Sequence, residues 1–355
     1  MSVDLVSTHL KETKSSNDFS RISLVRVFAI FLIVLAHVSG WGGDVKWTSA
    51  LYYTITRMGV PLFFMCTGYF LLSEQQGIYT FFKKHLFPLL ISFFVWSAIY
   101  DMMGDNVFAK EIPILAFLKI FLRTLHTARI GYFWFYYALI GLYFFIPIMR
   151  HIIAKARNMD IFYILGLWFF DFAIIPIIRS MVSIKYGLEI SIATRYLGYF
   201  LLGYYLPRLQ ITPRNLIFTL GVLIISFSFT YTVFYFNLPP TDNEDFFRSY
   251  LSFNIIFMAV SSFIVIYWIG KRLPTILFGL FEFFDRTTFG IYLMHLIVMG
   301  WIATAWKSLG FHAVYGSPLI IPTIATITLL ISSAITYMLQ KIPLINNAVP
   351  RLGKS

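Results

Sequence analysis

Apolar runs of about the length needed to cross a bilayer follow one another along the chain, at 22–41, 56–73, 84–102, 131–150, 160–179, 194–208, 214–236, 250–270, 287–306 and 318–340. An α-helix needs roughly 20 such residues to pass the hydrocarbon layer. Inside that layer only helices or a closed barrel satisfy every backbone amide. The sequence therefore predicts an all-α, polytopic membrane helix bundle of about ten transmembrane helices. The sixth run is short. The brief apolar stretch 274–284 is expected to be a re-entrant or interfacial piece. Only 12% of the 355 residues are charged and 19% are aromatic, against about 25% charged in a soluble domain.

Orientation follows from the basic residues. With the N-terminus inside, sixteen Lys and Arg fall in cytoplasmic connections and tails, and eleven fall outside; this bias favours a cytoplasmic N-terminus and C-terminus. Residues 1–20 lack the apolar core and cleavage site of a signal peptide. They are expected to form a cytoplasmic tail, with a transmembrane domain over 21–340 and a second tail over 341–355. The acidic cluster at 241–246 falls outside. The net charge of +12 is assigned to orienting loop residues rather than to nucleic-acid binding. Cys66, the single cysteine, excludes an intrachain disulfide and reads as a small buried hydrophobe.

"RVFAIFLIVLAHVSGW" (26–41) places an arginine and a histidine within the first apolar run. Eleven residues turn about 1100°, three turns and roughly 20°, and rise about 16 Å. Arg26 and His37 therefore share one helix face at two depths. Each has a bland reading: Arg26 snorkelling to cytoplasmic phosphates, His37 bonded to a carbonyl or headgroup at a helix end. Together on one face they favour a polar cavity through the bundle, and histidine suits general-base work near neutral pH.

Other candidates follow along the chain. Arg57 precedes the second run at its outer end, with Pro61 in the first turn and Thr67 and Gly68 permitting close helix contact. Lys83, Lys84 and His85 cluster where the third run begins, as a positive-inside anchor or a docking site for a polyanion. Asp171 is the carboxylate placed deepest in the membrane, where it would orient His37 or pair with an arginine, unless a helix ends there. His295 is a second polar site residue or a satisfied interior histidine. Trp134 and Tyr292 are acceptor-site or packing aromatics. No metal site is read from the sequence.

Five stretches, in order, resemble the acyltransferase-3 family of integral membrane acyltransferases. These are Arg26 and His37 with ten residues between them, "VPLFFMCTGY" (60–69), "FWFYYALIGLYFFIP" (133–147), "YLGYFLLGYYL" (196–206) and "GIYLMH" (290–295). The chain looks like the short, stand-alone members, among them the enterobacterial common antigen O-acetyltransferase and O-antigen acetylases. Two features depart from the family pattern. Thr67 stands where the family has serine, and the third-span basic motif is "KKHLFP", with lysines where the family usually has arginines. Lysine meets phosphate as a point charge, without arginine's bidentate fork.

The resemblance implies an O-acyltransferase of the bacterial inner (cytoplasmic) membrane. Such an enzyme takes an acyl group, commonly acetyl, from cytoplasmic acyl-CoA and passes it to a hydroxyl of a glycan or polyprenyl-linked sugar. No tightly bound cofactor is implied, and acetyl-CoA is a donor substrate. His37 is then the catalytic base or acyl carrier and Arg26 an essential partner. Lys83, Lys84 and Arg26 are expected near the donor's phosphates. Arg57 and His295 are candidate oxyanion donors. The rival readings are a transporter or flippase for a lipid-linked sugar, a non-catalytic partner of a glycan synthase, and a membrane acyltransferase whose late-span His295 matters more than His37.

Overall fold

The computed structural model describes residues 16–40, 45–74, 76–105, 133–182, 195–238, 246–274, 276–309, 318–343 and 345–351. The first fifteen residues of the expected N-terminal tail, most of the acidic cluster at 241–246, and residues 352–355 lie outside the described residues. So do the connections at 106–132 and 183–194. The described chain is helical. Its helices are α1 (Ser16–Ser39), α2 (Lys46–Thr56), α3 (Gly59–Ser73), α4 (Ile78–Met103), α5 (Trp134–Lys155), α6 (Asn158–Ile178), α7 (Leu197–Tyr205), α8 (Pro213–Phe236), α9 (Phe253–Gly270), α10 (Ile276–Ser308) and α11 (Ile320–Leu339). Nine helical stretches among the described residues are long and apolar enough to cross a membrane, with α2 and α3 counting as one.

Three elements differ from the sequence reading. The second run does not begin at 56: the helix starts at Lys46 and breaks at Arg57–Met58. Proline supplies the reason. Pro61 lies inside the longer helix, where it has no N–H for the carbonyl four residues back and its ring clashes with that carbonyl. That carbonyl belongs to Arg57. The ladder resumes one residue on, with Leu62 N–H donating to Met58 at 3.0 Å. The sixth run forms only the nine-residue α7 and a following 3₁₀ turn, Leu206–Arg208. The stretch 274–284 is not a separate piece but the start of α10, a continuous helix of 33 residues.

Short as it is, α7 is buried almost throughout. It lies against α3, where a Cβ on Gly68 would sit 2.4 Å from the Phe200 backbone and one on Gly203 would sit 1.8 Å from the Met65 carbonyl. Only glycine at both positions lets the two backbones meet.

Two five-residue π turns widen the helices, Phe82–Leu86 in α4 and Phe170–Ile174 in α6. Each precedes a proline, Pro88 and Pro176, whose ring displaces the carbonyl of Lys84 and Phe172 respectively.

The segment after α11 folds back on the bundle. Ser92 Oγ and Trp96 Nε1 donate to the Ala348 carbonyl at 2.9 and 2.8 Å. Gln340 Nε2 donates to the carbonyls of Arg286 and Val349 at 3.0 and 3.3 Å, and Val349 is buried.

Candidate active site

The face of α1 that carries Arg26 and His37 looks at α10. Three contacts tie these helices in parallel register. Ser20 Oγ donates to Glu282 at 2.7 Å. Arg26 Nε forms an ion pair with Asp285. The rings of His37 and His295 lie 5.0 Å apart between centroids, at 44°. Along α1 the last two contacts are eleven residues apart and along α10 ten, so the two rises match to about 1.5 Å.

Arg26 and Asp285 are each only 2% exposed. Arg26 Nη2 also donates to the Asp285 carbonyl at 3.3 Å. The Phe70 ring faces the guanidinium at 4.7 Å. A charge in a bilayer core is costly unless paired, and each of these two is the other's counter-charge. Arg26 is thus enclosed rather than presented to a ligand. Asp171 is half-buried on the π turn of α6 and does not line the cavity beside His37. Asp285 escaped notice because Glu282, Asp285 and Arg286 interrupt the apolar run and made it look like a connection.

His295 is fully buried. Its Nδ1 lies 2.7 Å from the Tyr292 carbonyl and 3.2 Å from that of Ile291. Carbonyls only accept, so Nδ1 carries the proton and Nε2 of the neutral ring is an acceptor.

His37 opens onto a cavity of about 260 Å³. Around it stand Arg57, Trp134, Tyr292, Tyr53, Phe135 and Tyr250. The break between α2 and α3 delivers Arg57, whose Cζ lies 5.1 Å from the Tyr250 ring and 5.5 Å from the Phe234 ring. Trp134 stacks on Tyr250 at 5.7 Å and 24°. The fold therefore gathers four of the sequence candidates, His37, Arg57, Trp134 and Tyr292, with His295 directly behind His37. Tyr53, Phe135 and Tyr250 were not foreseen; they were three aromatics among many. The volume lies below the usual range for a drug-sized ligand. It is too small to enclose a whole nucleotide.

Lys83 and Lys84 are elsewhere, exposed on the π turn of α4. Glu74 lies 3.8 Å from Lys84 and 3.1 Å from His85. Sixteen residues further along α4, Tyr100 donates to the Leu293 carbonyl at 2.7 Å, at the level of the histidine pair. The lysines are thus about 24 Å of helical rise from that level. Among the described residues, no three His, Cys, Asp or Glu side chains group as metal ligands.

No curated protein and no solved structure matches the chain. A family model described as an acyltransferase domain matches residues 19–337, from the first turns of α1 to the last of α11, and so takes in the ion pair, both histidines and the cavity. On that match the chain belongs to the acyltransferase-3 family of membrane acyltransferases.

Proposed function

We propose that the protein is an acyl-CoA-dependent O-acyltransferase of a bacterial inner membrane, moving acetyl from the cytoplasmic donor to a hydroxyl of a cell-surface glycan or polyprenyl-linked sugar. The observation that carries this reading is the aromatic cavity holding His37 and Arg57 together. A base beside a fixed cation is what acyl transfer to a hydroxyl requires. Aromatic walls suit the apolar faces of a sugar ring.

The donor's phosphates would rest at Lys83 and Lys84 and its pantetheine arm would extend inward to bring the thioester to His37. His37 accepts the proton of the acceptor hydroxyl as its oxygen attacks the thioester carbonyl. The C–S bond then breaks, and the CoA thiolate recovers the proton from His37. An acyl-histidine path differs only in that His37 is first the nucleophile. The bond from His295 Nδ1 to Tyr292 supports Arg57 over His295 as the donor to the oxyanion. His295 Nε2 is suited to receiving an N–H from His37, leaving the other His37 nitrogen for the substrate.

The test is mass spectrometry of cell-surface glycan from cells with the wild-type gene, with His37→Ala at matched membrane levels, and with no gene. An acetyl increment present only with the wild type is the expected result. An increment that survives His37→Ala moves the chemistry to His295. No increment in any strain removes acetyl transfer to glycan and favours transport.

A further inference from the structure

The proposed chemistry uses His37 and leaves Arg26 and Asp285 without a task. Their burial argues against donor binding, since a guanidinium enclosed by a carboxylate, a carbonyl and the Phe70 ring reaches a phosphate only by breaking that pair. Their place in the fold argues for another role. Among the described residues, few other polar contacts join α1 to α10; one is Ser20 with Glu282, near the start of both helices. A slip of one residue along α10 would rotate its contacts by about 100° and shift them about 1.5 Å, parting the two imidazoles. Helix packing in a membrane has little hydrophobic driving force to hold such a register. A buried ion pair does hold one, because the slipped state leaves two unpaired charges in a low dielectric.

We propose that Asp285 is a positioning residue: its ion pair with Arg26 locks α1 and α10 in the register that sets His37 against His295, about three helical turns away. Arg26 then serves the reaction through geometry and not by touching the donor. The kinetic part of this proposal rests on the acyltransferase reading, and the structural part does not.

Two measurements separate these. The first needs no activity. In a Cys66→Ala background, His37→Cys and His295→Cys are combined, treated with a short bis-thiol-reactive linker in native membranes, and the joined peptides are quantified by mass spectrometry. Adding Asp285→Asn is expected to lower the yield at least fivefold. Replacing both charges, Arg26→Met with Asp285→Leu, is expected to restore part of it, because no unpaired charge remains. A yield indifferent to Asp285→Asn overturns the proposal.

The second measurement is acetyl transfer from acetyl-CoA by purified protein, per folded molecule. Asp285→Asn is expected to lower kcat at least tenfold with the KM for acetyl-CoA within twofold of wild type, and the paired replacement to recover part of kcat. A raised KM with unchanged kcat assigns Arg26 to the donor and overturns the proposal. Unchanged kcat and KM in a less stable protein reduce the pair to a fold-stabilising contact and overturn it as well. Wild type without transfer refutes the acyltransferase reading alone, and the linker yield still decides the register.

Discussion

Arg57 is brought to the cavity by a break in the backbone ladder. Pro61 breaks the helix at Arg57, and the guanidinium then rests between Tyr250 and Phe234 on the rim of the cavity that holds His37. A planar cation stacked on rings is not replaced by an ammonium. Arg57→Lys is expected to lower kcat roughly tenfold or more and Arg57→Ala about a hundredfold, the order expected for losing an oxyanion donor. Steady-state assays with acetyl-CoA and a soluble sugar acceptor would read this, and equal activity in both variants would place the oxyanion elsewhere. The sequence made His37 and Arg57 legible because ionisable groups stand out against apolar runs. It hid the partnership of His37 with His295, since the 257 intervening positions carry no trace of which helices become neighbours. Asp285 was hidden for the opposite reason: clustered charges look like a loop even when the helix runs on.

At the scale of elements, the apolar runs located the crossings well, because hydrocarbon thickness and backbone hydrogen bonding leave a chain few choices. Helix ends were read less well. Starts at 46 and 276 were missed because polar residues within helices lowered the local hydropathy. The short α7 shows why length alone misleads: enclosed by protein, it need not meet the lipid on both sides. Its glycine contact with α3 makes a sharp prediction. Gly203→Leu would drive a side chain into the Met65 backbone, and overpacking costs about 1–3 kcal/mol or more. The variant is expected to lose several degrees of thermal stability in detergent by a fluorescence-based unfolding assay. A substitution to alanine at Gly221, where an added Cβ meets nothing within 4 Å, is expected to leave the transition unmoved. Equal behaviour of the two would refute the close contact.

Across the whole molecule, charge and depth are set apart. The exposed Lys83 and Lys84 stand on one turn, and the level of the histidine pair lies about 24 Å along α4 from them. Exposed cations meet phosphates through screened attraction. The double change Lys83→Glu and Lys84→Glu is therefore expected to raise the KM for acetyl-CoA about tenfold in 20 mM salt and much less in 500 mM, with kcat unchanged. Titration of initial rates at both salts checks it, and an unaltered KM would move donor docking to another surface. The C-terminal turn belongs to the same scale. Removing residues from 345 onward strips Ser92 and Trp96 of their carbonyl acceptor; Ser92 keeps the Tyr136 hydroxyl at 2.9 Å, and the Trp96 N–H is left unmade at about 1–3 kcal/mol. The truncated chain is expected to unfold at lower temperature, and an unchanged transition would show that water replaces those bonds.

The length of α10 has a further consequence. Its 33 residues extend about 50 Å, well beyond a hydrocarbon layer of roughly 30 Å. Its first turns expose Ile276 and Leu280. Bilayers of different thickness are accommodated by tilt and by such ends. With α1 fastened alongside α10, the spacing from the ion pair to the paired histidines is written in protein rather than borrowed from lipid. The bundle carries its own ruler, and a change of host membrane would alter how deep the ruler sits without altering its graduations.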